Sequence, residues 1–425
     1  MSVIEFTAES AGQRKLPDGW RWVQLGKAAR VFAGSAAPQG EDYFDPQGPP
    51  FVRVSDLGTK KRTTSLLDIR DKLSAKALSD FGLVKARAGT VVFPKSGAAI
   101  GTNNRAILGV DAYIVSHLMA VEPTDQIITD WLYWWLCQID MMDYSDNTGY
   151  PSLKQSTVER IEILLPLVSE QKRLAAILNR QMAVVERARA AAEAQLEAAK
   201  ALPAAYLCAV FNSSKAEQWP QKTIGDLRSL RVLFEHQDGN HGELHPRNKD
   251  FVSTGVRFVT AKHARRDGTL ALLEAPYISS DQAKGLRVGF AKGGDVLLAH
   301  NATVGAVVLT PSDCEPFVVG TSLTIYRSDP NRMLPAFLFL ALKSEGFQKQ
   351  LADAMEQTTR NQVPITRQRQ LSVPFPDIHE QQRIAAQLSE QIAAAEQTRK
   401  ALEDQLDMIN KVPAALLRRA FSGEL

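Results

Sequence analysis

The chain is short of several things, and each shortage removes a class of protein. It holds only 3 cysteines, Cys137, Cys208 and Cys314. None has a CxxC partner, so neither a disulfide frame nor a cysteine zinc site is on offer. Charge of one sign is also scarce: 50 Lys and Arg face 47 Asp and Glu, for a net charge of +3. A surface for a polyanion would have to be local. The most apolar run, IITDWLYWWLCQIDMM, is broken by Asp130 and Asp140 and is too short to span a bilayer. The segment MSVIEFTAESAGQRK lacks an apolar core of signal-peptide length. What remains is the expectation of a cytoplasmic globular protein with no membrane partner. At 425 residues it has room for two or three domains.

What is present is a phrase said twice. SEQKRLAAILNRQ starts at Ser169 and HEQQRIAAQLSEQ at His379, an interval of 210 residues. From Glu170 and Glu380 to Phe211 and Phe421 no gap is needed, and about 19 of 42 positions are identical. Weaker echoes precede it. GWRWVQLG and QWPQKTIG share Trp20 with Trp219 and Gly26 with Gly225. FVRVSDL at Phe51 matches FVTAKHA at Phe258, and DWLYWWL matches AFLFLAL.

The repeated segment has the spacing of a helix with one apolar stripe. Leu174, Leu178, Met182, Val185 and Leu196 fall in steps of three and four in the first copy, or small multiples of them. Ile384, Leu388, Ile392, Leu402 and Leu406 do so in the second. Pro166 and Pro376 precede the helices, and Pro203 and Pro413 bound or kink them, leaving about 32 helical residues or roughly 50 Å. A stripe that long calls for a partner, and the other copy is the obvious one. The expected fold is α/β (α+β). Two globular α/β domains alternate with two long helices that pair as an antiparallel coiled coil with internal pseudo-two-fold symmetry. The expected divisions are 1–160, 161–212, 213–370 and 371–425.

Catalytic motifs are weak. GPPF at Gly48 resembles the Asn-Pro-Pro-Phe/Tyr loop of amino-methyltransferases, but glycine cannot accept from a target amino group. No glycine-rich loop follows a strand to hold S-adenosylmethionine. EQK at Glu170 has nuclease letters, yet its counterpart EQQ lacks the lysine. Glu170 and Glu380 read better as carboxylates at the positive end of a helix. HQDGNHGELH gathers His236, His241 and His245. Gly239 and Gly242 give it no fixed ligand geometry, so no metal is assigned.

Basic and amide-rich loops are more informative. The first half offers Lys60, Lys61 and Arg62, then Lys95, Ser96, Asn103, Asn104 and Arg105, with Arg53 in the strand FVRV. The second offers Lys262, His263, Arg265 and Arg266, then His300, Asn301 and Thr303. Such side chains neutralise phosphates or read base edges. A solvated face is the alternative, weakened by recurrence at corresponding places. Just before each helix lie Tyr150, Ser152 and Lys154, or Arg360, Asn361 and Gln362. These loops fit a ligand-facing role and a solvated connector equally well.

LPDGWRWVQLG, TGYPSLKQSTVERIEILLP running into SEQKRLAAIL, and PFPDIHEQQRIAAQL resemble the specificity subunit of type I restriction–modification systems. The likeness covers essentially the whole chain. It implies that each globular part is a target recognition domain reading one half of a bipartite site in double-stranded DNA. The paired helices would set the half-site distance and dock two methyltransferase subunits, with motor-nuclease subunits joining that core. It implies no catalysis by this chain and no cofactor of its own. S-adenosylmethionine, ATP and magnesium would belong to the partners.

Overall fold

The computed structural model describes residues 16–58, 62–146, 149–301, 303–356 and 361–425. They form two compact units. One holds the chain up to Ala192 together with Gln405–Leu425; the other is Glu193–Asp404. Each long helix is thus shared between the units.

In the first unit a five-stranded sheet runs in the order Ala29–Ala33, Leu118–Pro123, Val91–Pro94, Arg105–Leu108 and Arg62–Leu66. A four-stranded sheet, Asp71–Lys72, Pro50–Val52, Ala112–Ile114 and Lys85–Ala86, stands beside it. The second unit repeats the plan. Leu233–Asp238, Leu323–Ser328, Val296–Ala299 and Val307–Leu309 form one sheet. Phe251–Val252, Tyr277–Ile278, Val256–Val259, Phe317–Val319 and Phe290–Ala291 form the other. Even the register corresponds: Phe51 and Val52 pair in parallel with Tyr113 and Ile114, as Phe258 and Val259 do with Val318 and Val319. GPPF is part of this framework. A Cβ on Gly48 would lie 1.8 Å from the Leu73 carbonyl oxygen, so only glycine lets the two segments pass.

Four helices organise the rest: α1 (Thr129–Gln138), α2 (Val168–Phe211), α3 (Pro335–Lys343) and α4 (Ile378–Phe421). The doubled phrase marks the starts of α2 and α4, and its glutamine explains why. Gln171 is fully buried; its Nε2 donates to the Gln126 and Pro166 carbonyls, and its Oε1 accepts from the Ile128 amide that opens α1. Gln381 repeats this toward Arg332, Pro376 and the Leu334 amide that opens α3. One amide saturates orphan groups at the helix junction in each unit. Glu170 and Glu380 sit in the first turns as expected, paired with Arg173 and Arg383.

The prolines were expected to bound or kink the helices; neither ends its helix, and both α2 and α4 continue through them to 44 residues, or about 66 Å of helix. The reason lies in the last two turns. Leu417 and Phe421 of α4 are buried in the first unit, Phe421 edge-on to Trp131 and Trp135 at 4.8 Å. Leu207 of α2 is buried in the second, and half-buried Phe211 packs against Trp219 and Phe337. Burying two such side chains is worth about 3–6 kcal/mol, enough to offset a helical proline at ~3 kcal/mol.

In each unit the start of one long helix packs with the end of the other, so the two run antiparallel. Leu174, Leu178 and Met182 share a core with Leu417 and Phe421; Ile384 and Leu388 share one with Leu207. Leu196 is buried, while Val185, Ile392, Leu402 and Leu406 are half-buried. Arg189 and Arg399 interrupt the stripe and pair with Glu186 and with Glu396 and Glu403.

Replacing Gln381 by Leu strands the Leu334 amide and two carbonyls. It should cost about 1–3 kcal/mol or more in denaturant unfolding, and Gln171→Leu the same. Wild-type stability in both would show the amide to be dispensable.

Candidate nucleic-acid interface

In both units the strand that ends in Pro94 or Ala299 runs into a loop welded to the segment before the long helix. Lys95 donates its amide to the His117 carbonyl and accepts from the Leu153 amide; Gly97 donates to Pro151. His300 donates to the Ser322 carbonyl and accepts from Val363. A single bridge closes each corner, Ser96 with Ser152 and Asn301 with Gln362. The two loop sets that sequence left separate therefore meet at one corner per unit.

The first corner carries Lys95, half-buried, and Ser96, whose Oγ is 2.6 Å from His117 Nδ1. Tyr150, 60% exposed, stands beside Gly97. Lys154 is exposed and pairs with Asp146 at 2.7 Å. The second corner has Asn301 and exposed Thr303 and Asn361. Next to it is a cavity of about 420 Å³ lined by Phe251, Phe258, Thr260, Lys262, His263, Thr303 and Ser322, among others. Lys262, His263 and Thr303 thus converge on one concave surface.

Other expected residues are engaged elsewhere in the fold, some buried and some in surface ion pairs. Arg105 was expected on a DNA-facing loop, but it is 1% exposed and lies over the Phe93 ring. Its guanidinium donates to the carbonyls of Leu136, Asn104 and Ile139 and to Asn103 Oδ1. Asn103, left-handed at φ 52°, also accepts from the Met141 amide, and Asn104 donates to Gly58. Arg53 pairs with Asp71, and Arg265 with Glu274. Arg266 lines a separate groove of about 970 Å³ with Lys200, Pro203 and Arg399. Lys60, Lys61 and Arg360 lie outside the described residues, as does the Arg62 side chain.

Behind the second corner lies a buried polar network that sequence reading missed. Gln368 accepts from the Tyr326 hydroxyl at 2.7 Å and donates to Thr324 Oγ1 and the Val363 carbonyl. His300, expected on a DNA-facing loop, is only 7% exposed: its Nδ1 lies 2.8 Å from Thr324 Oγ1, which donates to Asp238. His236 reaches Gln368 and packs on Tyr326. Strand register places Val31, Met119 and Val121 of the first unit where His236, Thr324 and Tyr326 stand in the second. The same sub-core is apolar in one unit and hydrogen-bonded in the other. His241 and His245 contact the carbonyls of Gly239 and Asn240 instead of each other. Among the described residues no group of three or more His, Cys, Asp or Glu is placed to hold a metal ion. No described helix is long and apolar enough to cross a membrane.

One scaffold used twice, each copy with an irregular polar corner, defines a tandem recognition protein. The profile of the type I restriction modification DNA specificity domain matches residues 17–197 and 248–406, and the chain belongs to that family. Its relatives are named specificity subunits, the non-catalytic DNA-recognition components of type I restriction–modification systems. The EcoBI specificity subunit of Escherichia coli is 21% identical, over 97% of this chain and 88% of that protein. The MjaIX specificity subunit of Methanocaldococcus jannaschii is 28% identical over 167 residues, 38% of this chain and 37% of that one. Among solved structures, the HsdS subunit from Thermoanaerobacter tengcongensis shares the fold at a TM-score of 0.61 and 19% identity, over 97% and 99% of the two chains. A chain from a structure of type I R-M complex assembly and conformational transition does so at 0.74 and 20% identity, over 97% and 100%.

Burial lowers the pKa of His236 to about 4, against its hydrogen bond to Gln368, with Arg369, Arg228 and His300 lowering it further. The unfolded chain takes up that proton first, near pH 6.5. Stability from this residue is therefore full above about pH 6.5 and drains away as pH falls toward 4. The unfolding free energy of the wild type should fall over that window relative to His236→Phe. Parallel pH curves for the two proteins would remove this account.

Proposed function

We propose that each globular domain reads one half of a bipartite DNA sequence, and that the antiparallel helices fix the half-site distance and dock two methyltransferase subunits. The observation that carries this is the pair of corresponding corners. Their backbone bridges are alike, while the bridged Ser96 and Ser152 become Asn301 and Gln362, and half-buried Lys95 becomes His300, which turns into the interior. A conserved geometry presenting different hydrogen-bonding groups is what two readers of different half-sites need. Successive half-sites one helical turn apart lie roughly 34 Å apart, within reach of spacers this long. S-adenosylmethionine, ATP and magnesium are assigned to partner subunits, including any motor-nuclease.

Adenine methylation mapped genome-wide with and without the gene should reveal one bipartite motif, and exchanging residues 213–370 for those of a relative should change only one half of it. A swap that alters both halves, or neither, would sink modular reading. Lys95→Ala, assayed in the methyltransferase complex, should weaken binding across sequences and reduce the salt slope by about 1. A change in sequence preference would instead make Lys95 a base reader.

A further inference from the structure

The cavity beside Thr303 has a counterpart in the first unit that is already filled. Register equates Phe44 and Phe51 with Phe251 and Phe258, and Asp71 with Pro276. In the first unit the Arg53 guanidinium, held by Asp71, lies 5.5 Å from the centres of both Phe44 and Phe51. In the second unit Thr260 stands in the place of Arg53 and Pro276 in that of Asp71. The rings of Phe251 and Phe258 remain, 6.1 Å apart; Phe258 is 2% exposed and meets the His245 ring edge-on at 5.4 Å, so the cavity opens against half-buried Phe251. The fold therefore supplies its own stand-in: the guanidinium that lies against this ring pair in the first unit has no counterpart at Thr260 in the second, where a cavity opens instead.

The walls say what kind of flat group. His263 Nδ1 accepts from the Thr260 amide at 3.0 Å, which puts the ring proton on Nε2 in the neutral imidazole. Ser322 Oγ accepts from the Ala261 amide at 3.0 Å and keeps its own proton for another acceptor. Thr303 adds a hydroxyl, and Lys262 is exposed at the rim. The lining is rich in donors, suits carbonyl acceptors, and places an ammonium where a phosphate would follow. At about 420 Å³ the cavity falls within the roughly 300–1,000 Å³ usual for small-molecule sites.

We propose that this cavity of the second domain takes up a nucleobase displaced from the DNA stack, thymine or guanine, laid against the accessible face of Phe251. This rests on the DNA-reading role proposed above. An extruded base exposes a π-face and its pairing edge together, and a stacking platform with hydrogen-bond donors recognises both. An arginine from a partner protein would fill the same shape but would bring donors to a donor-rich wall.

The test uses the full chain with its methyltransferase on its own target duplex. Each thymine is replaced in turn by 5-iodouracil, and each guanine by 6-thioguanine, before irradiation. One position in the second-domain half-site should cross-link to Phe251, Phe258 or His263. Thr260→Arg with Pro276→Asp, which rebuilds the arrangement of the first unit, should abolish that cross-link and weaken specific binding roughly 5- to 100-fold. If melting shows that this double variant is unfolded, Phe251→Leu carries the affinity measurement, with a loss of the same sense. A wild-type complex that protects its bipartite target yet cross-links none of these residues overturns the base pocket and leaves the reading role standing. Absence of any protected bipartite sequence overturns both. Hydrogen-exchange protection of the Phe251–Phe258 segment by the methyltransferase without DNA assigns the cavity to a partner side chain and overturns the proposal.

Discussion

The architecture hangs on one buried carboxamide per unit. A helix of 44 residues can only hold a domain in place if its first turn is fixed, and a free helix start has four amides without partners. Gln171 and Gln381 tie that turn to the opening of α1 or α3 through three hydrogen bonds apiece. From there the aromatic helix is held against the sheet: Trp131 donates to the Leu164 carbonyl, and Trp134 to Asn179 of α2. With the amide gone, the contacts of Trp134 and Asp130 with Asn179 would remain, but the first turn of the spacer would lose its tie to the opening of the aromatic helix.

The two units spend their interiors differently on that common frame. In the first, apolar side chains fill the layer under the corner, and two arginines, Arg53 and Arg105, are taken into internal pairing and carbonyl contacts. In the second, the layer is a hydrogen-bonded network of Gln368, Tyr326, Thr324, His300 and Asp238, with His236 at its edge leaving Nδ1 without a partner. Such a network is costly unless complete, and when complete it fixes side-chain orientation more tightly than an apolar filling does. The second corner is thus the more rigidly specified of the two.

Much of this was legible in the sequence because repetition exposes what a fold requires. The 210-residue interval gave the helices, and their periodicity gave the stripe from Leu174 to Leu196 and its partner. The glutamine lies inside the repeated phrase, but a carboxylate such as Glu170 has an evident role at a helix start, whereas the role of a buried amide depends on partners distant in sequence. Helix length was misjudged because proline is a local signal, whereas Phe211 and Phe421 are held by contacts distant in sequence. Arg105 was misread for a related reason. An arginine in an Asn-rich loop looks like a phosphate contact, and only tertiary structure shows its guanidinium surrounded by carbonyls. Residues such as Gln368 and Tyr326 carried no signal at all, because their partners come from strands far apart in the chain.

The packing of Phe421 on Trp131 and Trp135 also sets an order of events in the cell. The first unit lacks part of its core until about 290 further residues have left the ribosome, which at ordinary synthesis rates takes roughly 15–60 s. Through that interval the indole face of α1 is open to water. It is sticky enough to attract the wrong partner, and the nascent first domain must wait as an incomplete body for a piece of itself that has not yet been made.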